Sequence, residues 1–346
     1  WLGLTSTVGI QGTVSYPNSS TSPGVPTANL LAGIQVELYL STDLVNPFQT
    51  KTTDATGTYK FQNIPTVSYV VKIKGTELTT KGFNVLMPAS PGSYTVNNLP
   101  AAGVQDKHFV LNGTYSLGDL VWKDVNGNNA YDSGTDLGIA NVQVKLIWAG
   151  VDGILDNADD VAFLTPATTS ATGAYSFANL PMGKYRVTVD TTASSVALNG
   201  LELIPATLLT GNVNPQTKDI TNANVTDVDF AYRTLGSIKG RVGYDNNLDG
   251  AYSNPPDTPV SGRVVTLTKS DNSTATATTD VNGEYSFTSL PYGSYTVTTT
   301  VPTNYIFAYD KDDPVVGTKA NTPNSIAVTI NSTTFNQTNQ DFAYKS

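Results

Sequence analysis

The chain has 346 residues, of which 39% are hydrophobic and only 14% are charged, a composition too apolar for general disorder and too lightly charged for a helical bundle. The formal net charge of −9 argues against a nucleic-acid partner, because a phosphate-binding surface needs clustered Lys and Arg. There are no cysteines, so disulfides, cysteine-type zinc sites and thiol catalysis are excluded.

Strand formers and turn formers dominate the sequence. Thr, Val and Tyr are frequent, 29 Gly and 19 Pro interrupt the chain, and no segment keeps an apolar period of 3.6 residues over a dozen positions. β-Branched and aromatic residues suit pleated sheets, and Gly and Pro suit turns. Only four of the 28 acidic residues are Glu, and the Asp bias fits tight loops and metal-binding loops. The sequence therefore predicts an all-β protein.

One pattern occurs three times, at residues 53–65, 171–181 and 279–291. In each copy a Gly that is free to adopt positive φ ends a tight turn. A Tyr-x-Phe alternation follows, with both rings on one face of a strand, and a Pro ends that strand. Similar opening strands precede the pattern, and similar closing strands follow it. The spacing predicts three β-sandwich domains of about seven strands each: repeat one (residues 1–113), repeat two (114–234) and repeat three (235–346).

Further motifs add a resemblance to a known family. Repeat two begins with the run Gly118-Asp119-Leu120-Val121-Trp122-Lys123-Asp124, and repeats two and three both close on Asp-Phe-Ala-Tyr, at 229–232 and 341–344. With the Gly-x-Tyr-x-Phe-x-x-Leu-Pro core, these residues resemble the SdrD B-like repeats of serine-aspartate repeat adhesins of Gram-positive bacteria, and the related collagen-adhesin B fold. The match covers nearly all of repeats two and three, but only the core of repeat one. The core alone is shared with transthyretin-like and carboxypeptidase-regulatory domains.

That resemblance implies three tandem immunoglobulin-like sandwiches of the collagen-adhesin B or prealbumin-like type, arranged as an elongated rod. It also implies an extracellular, cell-surface location and a calcium-stiffened stalk that displays a ligand-binding region away from the cell. Three roles stay open. The chain could be a stalk, a filament subunit that assembles head-to-tail or by strand donation, or an adhesin module that binds a host protein or glycan.

Two loops have the oxygen-rich spacing of a calcium site. Side chains with oxygen stand at loop positions 1, 3 and 5, a backbone carbonyl at 7 and an acid at 13, where Ca²⁺ takes about six to eight oxygen ligands. In repeat two, which also has an acid at position 9, the candidate ligands are Asp124, Asn126, Asn128, Ala130, Asp132 and Asp136. In repeat three they are Asp245, Asn247, Asp249, Ala251 and Asp257. Metal-free turns rich in Asp and Asn are the alternative, and repeat one has no such loop.

A second acidic loop lies in repeat two. Four carboxylates fall within nine residues, at Asp152, Asp156, Asp159 and Asp160. Such carboxylates repel one another unless they are solvated or neutralised by a metal. The loop is therefore predicted to bind calcium, with a solvated hairpin tip as the alternative.

Neither catalysis nor a membrane span is expected. The single histidine, His108, cannot supply a Ser-His-Asp triad to each repeat, and its expected role is that of a satisfied surface or interface residue. No apolar stretch of about 20 residues occurs, which is the length that a spanning helix needs.

Three apolar features bear on partners. The apolar residues Trp1, Leu2 and Leu4 favour burial by a second copy of the chain, or by a neighbouring module. Trp148 and the run 305–309 are candidates for a ligand-binding patch, although core packing is the better explanation for both.

Overall fold

A computed structural model of the chain describes residues 8–17, 29–85, 91–249, 252, 253, 255–311 and 324–346. Its elements are short strands and one short helix, which confirms the predicted all-β class. Two compact units are present. The first contains Trp1–Trp122, Gly138–Ala197 and Pro205–Phe230, and the second contains Lys123–Leu137, Leu198–Ile204 and Ala231–Ser346. The three repeat boundaries and the elongated shape stay predictions.

Repeat one is a sandwich of two sheets. Its elements are β1 (Gly9–Tyr16), β2 (Asn29–Leu30), β3 (Gln35–Leu40), β4 (Gln49–Thr52), β5 (Thr58–Gln62), β6 (Tyr69–Ile73), α1 (Gly75–Lys81), β7 (Phe83–Val85), β8 (Tyr94–Val96) and β9 (Phe109–Gly113). One sheet has the order β2-β1-β9-β7, with β5 also paired to β1, and the other has the order β4-β3-β6-β8. In β5 the burial alternates, so that Tyr59 and Phe61 of the repeated motif both point into the core, as predicted.

Repeat two has the same plan. Its strands are β10 (Tyr115–Asp124), β11 (Leu137–Gly138), β12 (Gln143–Trp148), β13 (Val161–Ala162), β14 (Ala167–Thr168), β15 (Ala174–Leu180), β16 (Gly183–Val189), β17 (Leu201–Leu203), β18 (Gln216–Ile220) and β19 (Phe230–Thr234). β15 pairs antiparallel with β10. The other sheet has the order β13-β12-β16-β18, with β14 also paired to β12.

Repeat three is again a two-sheet sandwich. Its strands are β20 (Gly236–Tyr244), β21 (Thr258–Pro259), β22 (Val264–Lys269), β23 (Thr274–Thr278), β24 (Glu284–Leu290), β25 (Gly293–Thr299), β26 (Ile306–Asp310), β27 (Ser325–Ile330), β28 (Asn336–Gln337) and β29 (Phe342–Lys345). The sheets have the orders β21-β20-β29-β26 and β23-β22-β25-β27. Alternate residues of both sheets enclose one apolar core, which includes Tyr285, Phe287 and Phe342.

The Tyr of the repeated motif makes an equivalent hydrogen bond in all three repeats. Its hydroxyl donates to the backbone carbonyl two residues before the Phe of the closing strand; the pairs are Tyr59 with Lys107, Tyr175 with Val228 and Tyr285 with Gln340. The next side chain then accepts a backbone N–H from the first strand; these pairs are His108 with Thr13, Asp229 with Leu120 and Asp341 with Arg241. The closing segment is thereby tied to the core tyrosine and to the first strand.

A buried threonine also recurs at one position, four residues before the turn glycine. Its hydroxyl donates to one backbone carbonyl and accepts the backbone N–H three residues further along the chain. These threonines are Thr53, Thr169 and Thr279. Each is at most 4% exposed, so the buried hydroxyl is satisfied as burial requires.

Candidate functional site

The predicted loop of repeat two is closed by two buried carboxylates. Asp124 is 3% exposed and Asp136 is 6% exposed. Asp124 accepts the backbone N–H groups of Gly127 and Asn129, at 2.6 and 2.9 Å. Asp136 accepts those of Val125, at 3.0 Å, and Asp132, at 2.7 Å. The first and thirteenth residues therefore hold both ends of the loop through charge-assisted hydrogen bonds.

The third, fifth and ninth side chains of this loop meet one another. The amide nitrogens of Asn126 and Asn128 both donate to Oδ2 of Asp132, and these two hydrogen bonds lower the pKa of Asp132 below its ordinary value. Oδ1 of Asn128 accepts the backbone N–H of Ala130. The carboxylate and amide groups of these predicted calcium ligands therefore lie close together within the loop.

The loop of repeat three is closed in the same way. Oδ1 of Asp257 accepts the backbone N–H of Asn246 at 2.9 Å, and its Oδ2 accepts that of Ser253 at 2.6 Å. Asp245 accepts the backbone N–H of Asp249, and the amide of Asn247 donates to Asp249. Ala251, the predicted carbonyl ligand, lies outside the described residues.

The ninth position differs between the two loops. Repeat three has Ser253 where repeat two has Asp132, so its loop offers a hydroxyl there instead of a carboxylate. The sequence prediction missed Ser253 because the prediction counted acids and amides only. The thirteen-residue spacing alone would have pointed to it.

The second acidic loop is neutralised in part by a cation that the sequence prediction missed. Arg186 on β16 holds Asp156 with two hydrogen bonds, at 2.8 and 2.7 Å, and the pKa of Asp156 is lowered mainly by this contact. Asp152 accepts the backbone N–H of Ile154 and the side-chain amide of Asn157. One signal was available: alternation along β16 places Arg186 on the outer face.

Two carboxylates of this loop lie close to its backbone. Oδ2 of Asp160 accepts the backbone N–H of Asp156, and its Oδ1 is buried without a hydrogen-bond partner. Asp159 lies against Gly150, where an added Cβ would be 2.2 Å from Oδ2 of Asp159. A buried carboxylate oxygen without a donor is a position at which a cation could be bound.

The calcium assignments stay predictions. Throughout the described ranges, no three or more His, Cys, Asp or Glu side chains already lie together as a metal site, so a bound ion would have to draw the carboxylates of each loop together. The loops instead mix carboxylates with Asn, Ser and backbone groups. Such all-oxygen donors are the type that Ca²⁺ prefers, and the buried charges of Asp124 and Asp136 fit a bound cation.

Within the first unit, an aromatic cluster joins repeats one and two. Trp148 of β12 packs on Tyr16 and Phe83 of repeat one, with ring centroids 5.5 and 6.0 Å apart. Tyr16 also packs on Phe163, and its hydroxyl donates to the Asn179 carbonyl. Trp148 is only 1% exposed. It is therefore core, as expected, and its neighbours come from two repeats.

Within the second unit, a buried cation lies between segments of repeats two and three. Arg233 of β19 pairs with Glu202 of β17 at 2.7 Å, and its guanidinium lies 4.4 Å from the ring centroid of Tyr292. The same Glu202 oxygen accepts the backbone N–H of Tyr292. The three residues link these segments, and removing either partner of the ion pair would leave a largely buried charge unpaired.

The other sequence candidates have structural positions. His108 is exposed and accepts the backbone N–H of Thr13, as expected for a satisfied surface residue. In the run 305–309, Tyr305 stacks on Tyr244 at 4.2 Å and Ala308 is buried, whereas Ile306 is 59% exposed. Trp1, Leu2 and Leu4 lie outside the described residues. No helix among the described segments is long and apolar enough to cross a membrane.

The repeat pattern and its loops agree with a known family. The SdrD B-like domain matches residues 115–229 and 236–344, which together are more than half of the chain. This chain belongs to the SdrD B-like domain family. The two matched stretches fall within repeats two and three, so the resemblance inferred from their sequence motifs is confirmed.

Three individual relatives have nearly the same sequence identity to this chain. Colossin-A of Dictyostelium discoideum is 30% identical over 285 residues, which are 75% of this chain and 2% of that protein. Serine-aspartate repeat-containing protein F of Staphylococcus epidermidis is 29% identical over 328 residues, which are 88% of this chain and 18% of that protein. Serine-aspartate repeat-containing protein D of Staphylococcus aureus (strain Newman) is 29% identical over 277 residues, which are 75% of this chain and 19% of that protein. The chain therefore spans less than a fifth of the length of each of these relatives.

A solved structure, the Streptococcal ancillary pilin, has a TM-score of 0.38 at 12% identity, covering 96% of this chain and 99% of that one.

Proposed function

We propose that the chain is a non-catalytic, extracellular structural segment, a calcium-stiffened stalk of SdrD B-like modules. Its relatives include serine-aspartate repeat-containing proteins, of which the match covers 18% and 19% of the length. The observation that carries the proposal is the way in which neighbouring repeats are tied. Buried side chains join them, by the cluster around Trp148 in one unit and by Arg233 in the other.

A short connection between repeats one and two supports a stiff stalk. β9 ends at Gly113, and β10 begins two residues later at Tyr115. An added Cβ at Gly113 would lie 1.9 Å from the backbone carbon of Leu180, and Thr114 donates its N–H to the Leu180 carbonyl. A connection held this closely against a sheet leaves little freedom for a hinge, in contrast to a flexible linker.

Calcium would add stiffness where the loop of repeat two meets repeat three. Asp124, Asn126, Asn128, Asp132, Asp136 and the Ala130 carbonyl would hold the ion. In the second unit this loop lies against the turn at 331–334, because an added Cβ at Gly127 would be 1.9 Å from Cβ of Ser332. A cation would neutralise the buried charges and hold the loop in one conformation. The turn would then pack against a rigid surface.

Two other sites complete the proposal. In repeat three the ion would be held by Asp245, Asn247, Asp249, Asp257 and the carbonyl of Ala251, with Ser253 as a further donor. In the second acidic loop it would be held by Asp152, Asp159 and Asp160. Asp156 would contribute less there, because Arg186 already pairs with it.

Calorimetric titration with Ca²⁺ of a metal-free sample tests the assignments. The wild-type chain is expected to bind up to three ions, and Asp136→Asn, Asp257→Asn and Asp160→Asn each to lose one. Asp271→Asn is the matched control, since Asp271 caps the hairpin turn before β23 through the N–H of Ser273 and should change no calcium site. Unchanged stoichiometry in all four variants would refute the calcium sites and leave a metal-free stalk.

A further inference from the structure

The strand β23 is an unprotected sheet edge. It is the terminal strand of the sheet β23-β22-β25-β27, and within the described part of the chain it pairs only with β22. Its sequence is Thr-Ala-Thr-Ala-Thr, and four of its five residues are exposed. It contains no charge, no proline and no bulge. Sheet edges of this kind can pair with another strand.

The corresponding edges of the other repeats are protected. In repeat one the edge strand β4 carries the exposed Lys51. In repeat two the edge is divided into β13 and β14, two residues each, and Pro166 lies between them. Charges, prolines and very short strands are the usual means by which proteins prevent edge pairing. The equivalent strand of repeat three, β23, has no charge and no proline, and it is not unusually short.

The free backbone groups of this edge belong to its threonines. Lys269 donates its N–H to the Ser273 carbonyl, and Thr279 donates its N–H to the Arg263 carbonyl. These bonds bracket β23, and hydrogen-bonded pairs alternate with non-hydrogen-bonded pairs along an antiparallel ladder. The N–H and C=O groups of Thr274, Thr276 and Thr278 therefore point away from β22 and towards the open edge.

The strand is also self-complementary, because Thr274–Thr278 reads the same in both directions. We propose that β23 is a docking edge for β23 of a second copy of this chain, paired antiparallel about a two-fold axis at Thr276. In that register Thr276 faces its own copy and Thr274 faces Thr278. Each facing pair exchanges two hydrogen bonds through the groups that point outward.

Charge does not oppose pairing at this edge. The formal net charge of −9 makes two copies repel one another in general. At β23, however, no charged side chain stands opposite another, and facing threonines are a favourable cross-strand pair. The interface uses the same surface of both copies, so it closes as a dimer and does not propagate. It goes beyond the proposed stalk, since it would link stalks side by side.

The contact is small, so association must depend on concentration. A pair of five-residue edges buries much less than the roughly 1,200 Å² of a stable interface. Tethering chains on one surface raises their effective concentration and would favour the pairing.

Sedimentation velocity over a wide range of protein concentration tests the proposal. The wild-type chain is expected to shift from monomer towards dimer as concentration rises. Thr276→Lys places two like charges opposite each other at the axis and should lower the association constant about two- to fivefold. The matched control is Thr266→Lys, because Thr266 is the direct neighbour of Thr276 on β22 and lies on the same outer face without being at the edge. It should dimerise like the wild type.

Two further samples test whether the pairing depends on charge at the axis and on the backbone N–H of Thr276. An equimolar mixture of Thr276→Lys and Thr276→Glu restores opposite charges at the axis and should dimerise again. Thr276→Pro removes an N–H that β22 does not use, so it should fold but remain monomeric. A wild-type chain that stays monomeric at every concentration would overturn the proposal. So would equal loss of dimer in Thr266→Lys, which would indicate stacking of sheet faces.

Discussion

The hydroxyl of Tyr175 donates a 2.6 Å hydrogen bond to the backbone carbonyl of Val228. Tyr175 is 6% exposed, and burial raises the pKa of its hydroxyl far above the ordinary value, so that it stays a donor. The ring fills the core while the hydroxyl holds the segment before the closing strand. This double role explains why the repeated motif has Tyr, not Phe, at its first aromatic position.

Tyr175→Phe should therefore destabilise the chain although the ring is kept. We expect the free energy of unfolding to fall by about 1–3 kcal/mol, because the buried Val228 carbonyl loses its donor. Urea denaturation followed by circular dichroism measures the change. Tyr59→Phe should show a similar loss, since its hydroxyl makes the equivalent bond to Lys107. A loss of only a few tenths of a kcal/mol in both variants would contradict the structural role.

Trp148→Ala tests the aromatic junction of the first unit. Removal of a fully buried Trp should cost about 3–5 kcal/mol in the free energy of unfolding. Leu208→Ala is the control, because Leu208 is 52% exposed and should change stability by less than about 0.5 kcal/mol.

A double-mutant cycle of Tyr16→Ala with Trp148→Ala then separates the junction from the core of repeat two. Because the rings touch across two repeats, we expect a coupling energy of at least about 0.5 kcal/mol. Strictly additive effects would show that the repeats do not support each other.

Asp229 should make stability depend on pH. Burial raises its pKa to about 6; the Leu120 N–H opposes this in part, and the charges of Asp119 and Asp227 add to the increase. The folded state therefore holds a proton that the unfolded state releases at lower pH. The stabilisation from this group is complete below about pH 4 and is lost as the pH rises towards 6.

Asp229→Asn keeps an oxygen acceptor for the Leu120 N–H and removes the charge. It should raise the melting temperature at pH 7.5 and flatten its fall between pH 4 and 6. Asp341→Asn should gain less, because Arg241 and Lys311 attract the Asp341 charge. A melting temperature of Asp229→Asn that follows the wild type at every pH would contradict the raised pKa.

The sequence alone predicts the features that depend on a short repeat period along a strand or on one tight turn. Gly57, Gly173 and Gly283 all adopt positive φ, and the two aromatic rings that follow each of them are buried, because local chemistry determines both. Spacing within one loop likewise places Asp136 and Asp257 at the closing position, where each carboxylate accepts two backbone N–H groups; their role as calcium ligands stays a prediction.

Long-range partners could not be predicted in this way. Arg186 reaches Asp156 from 30 residues away, and Trp148 meets Tyr16 from another repeat. Such contacts depend on how sheets pack, and no periodicity within one strand encodes them. The palindrome of β23 is visible in the sequence, but its meaning depends on which strand lies at the sheet edge.

Hydrogen–deuterium exchange with and without Ca²⁺ tests the calcium-stiffened stalk most directly. If calcium fixes the loop of repeat two, backbone amides of residues 124–136 should exchange at least about tenfold more slowly in Ca²⁺ than in chelator. The turn at 331–334, which lies against Gly127, should slow with them, and both effects should vanish in Asp136→Asn. Identical exchange of the loop and the turn in Ca²⁺ and in chelator would contradict calcium stiffening.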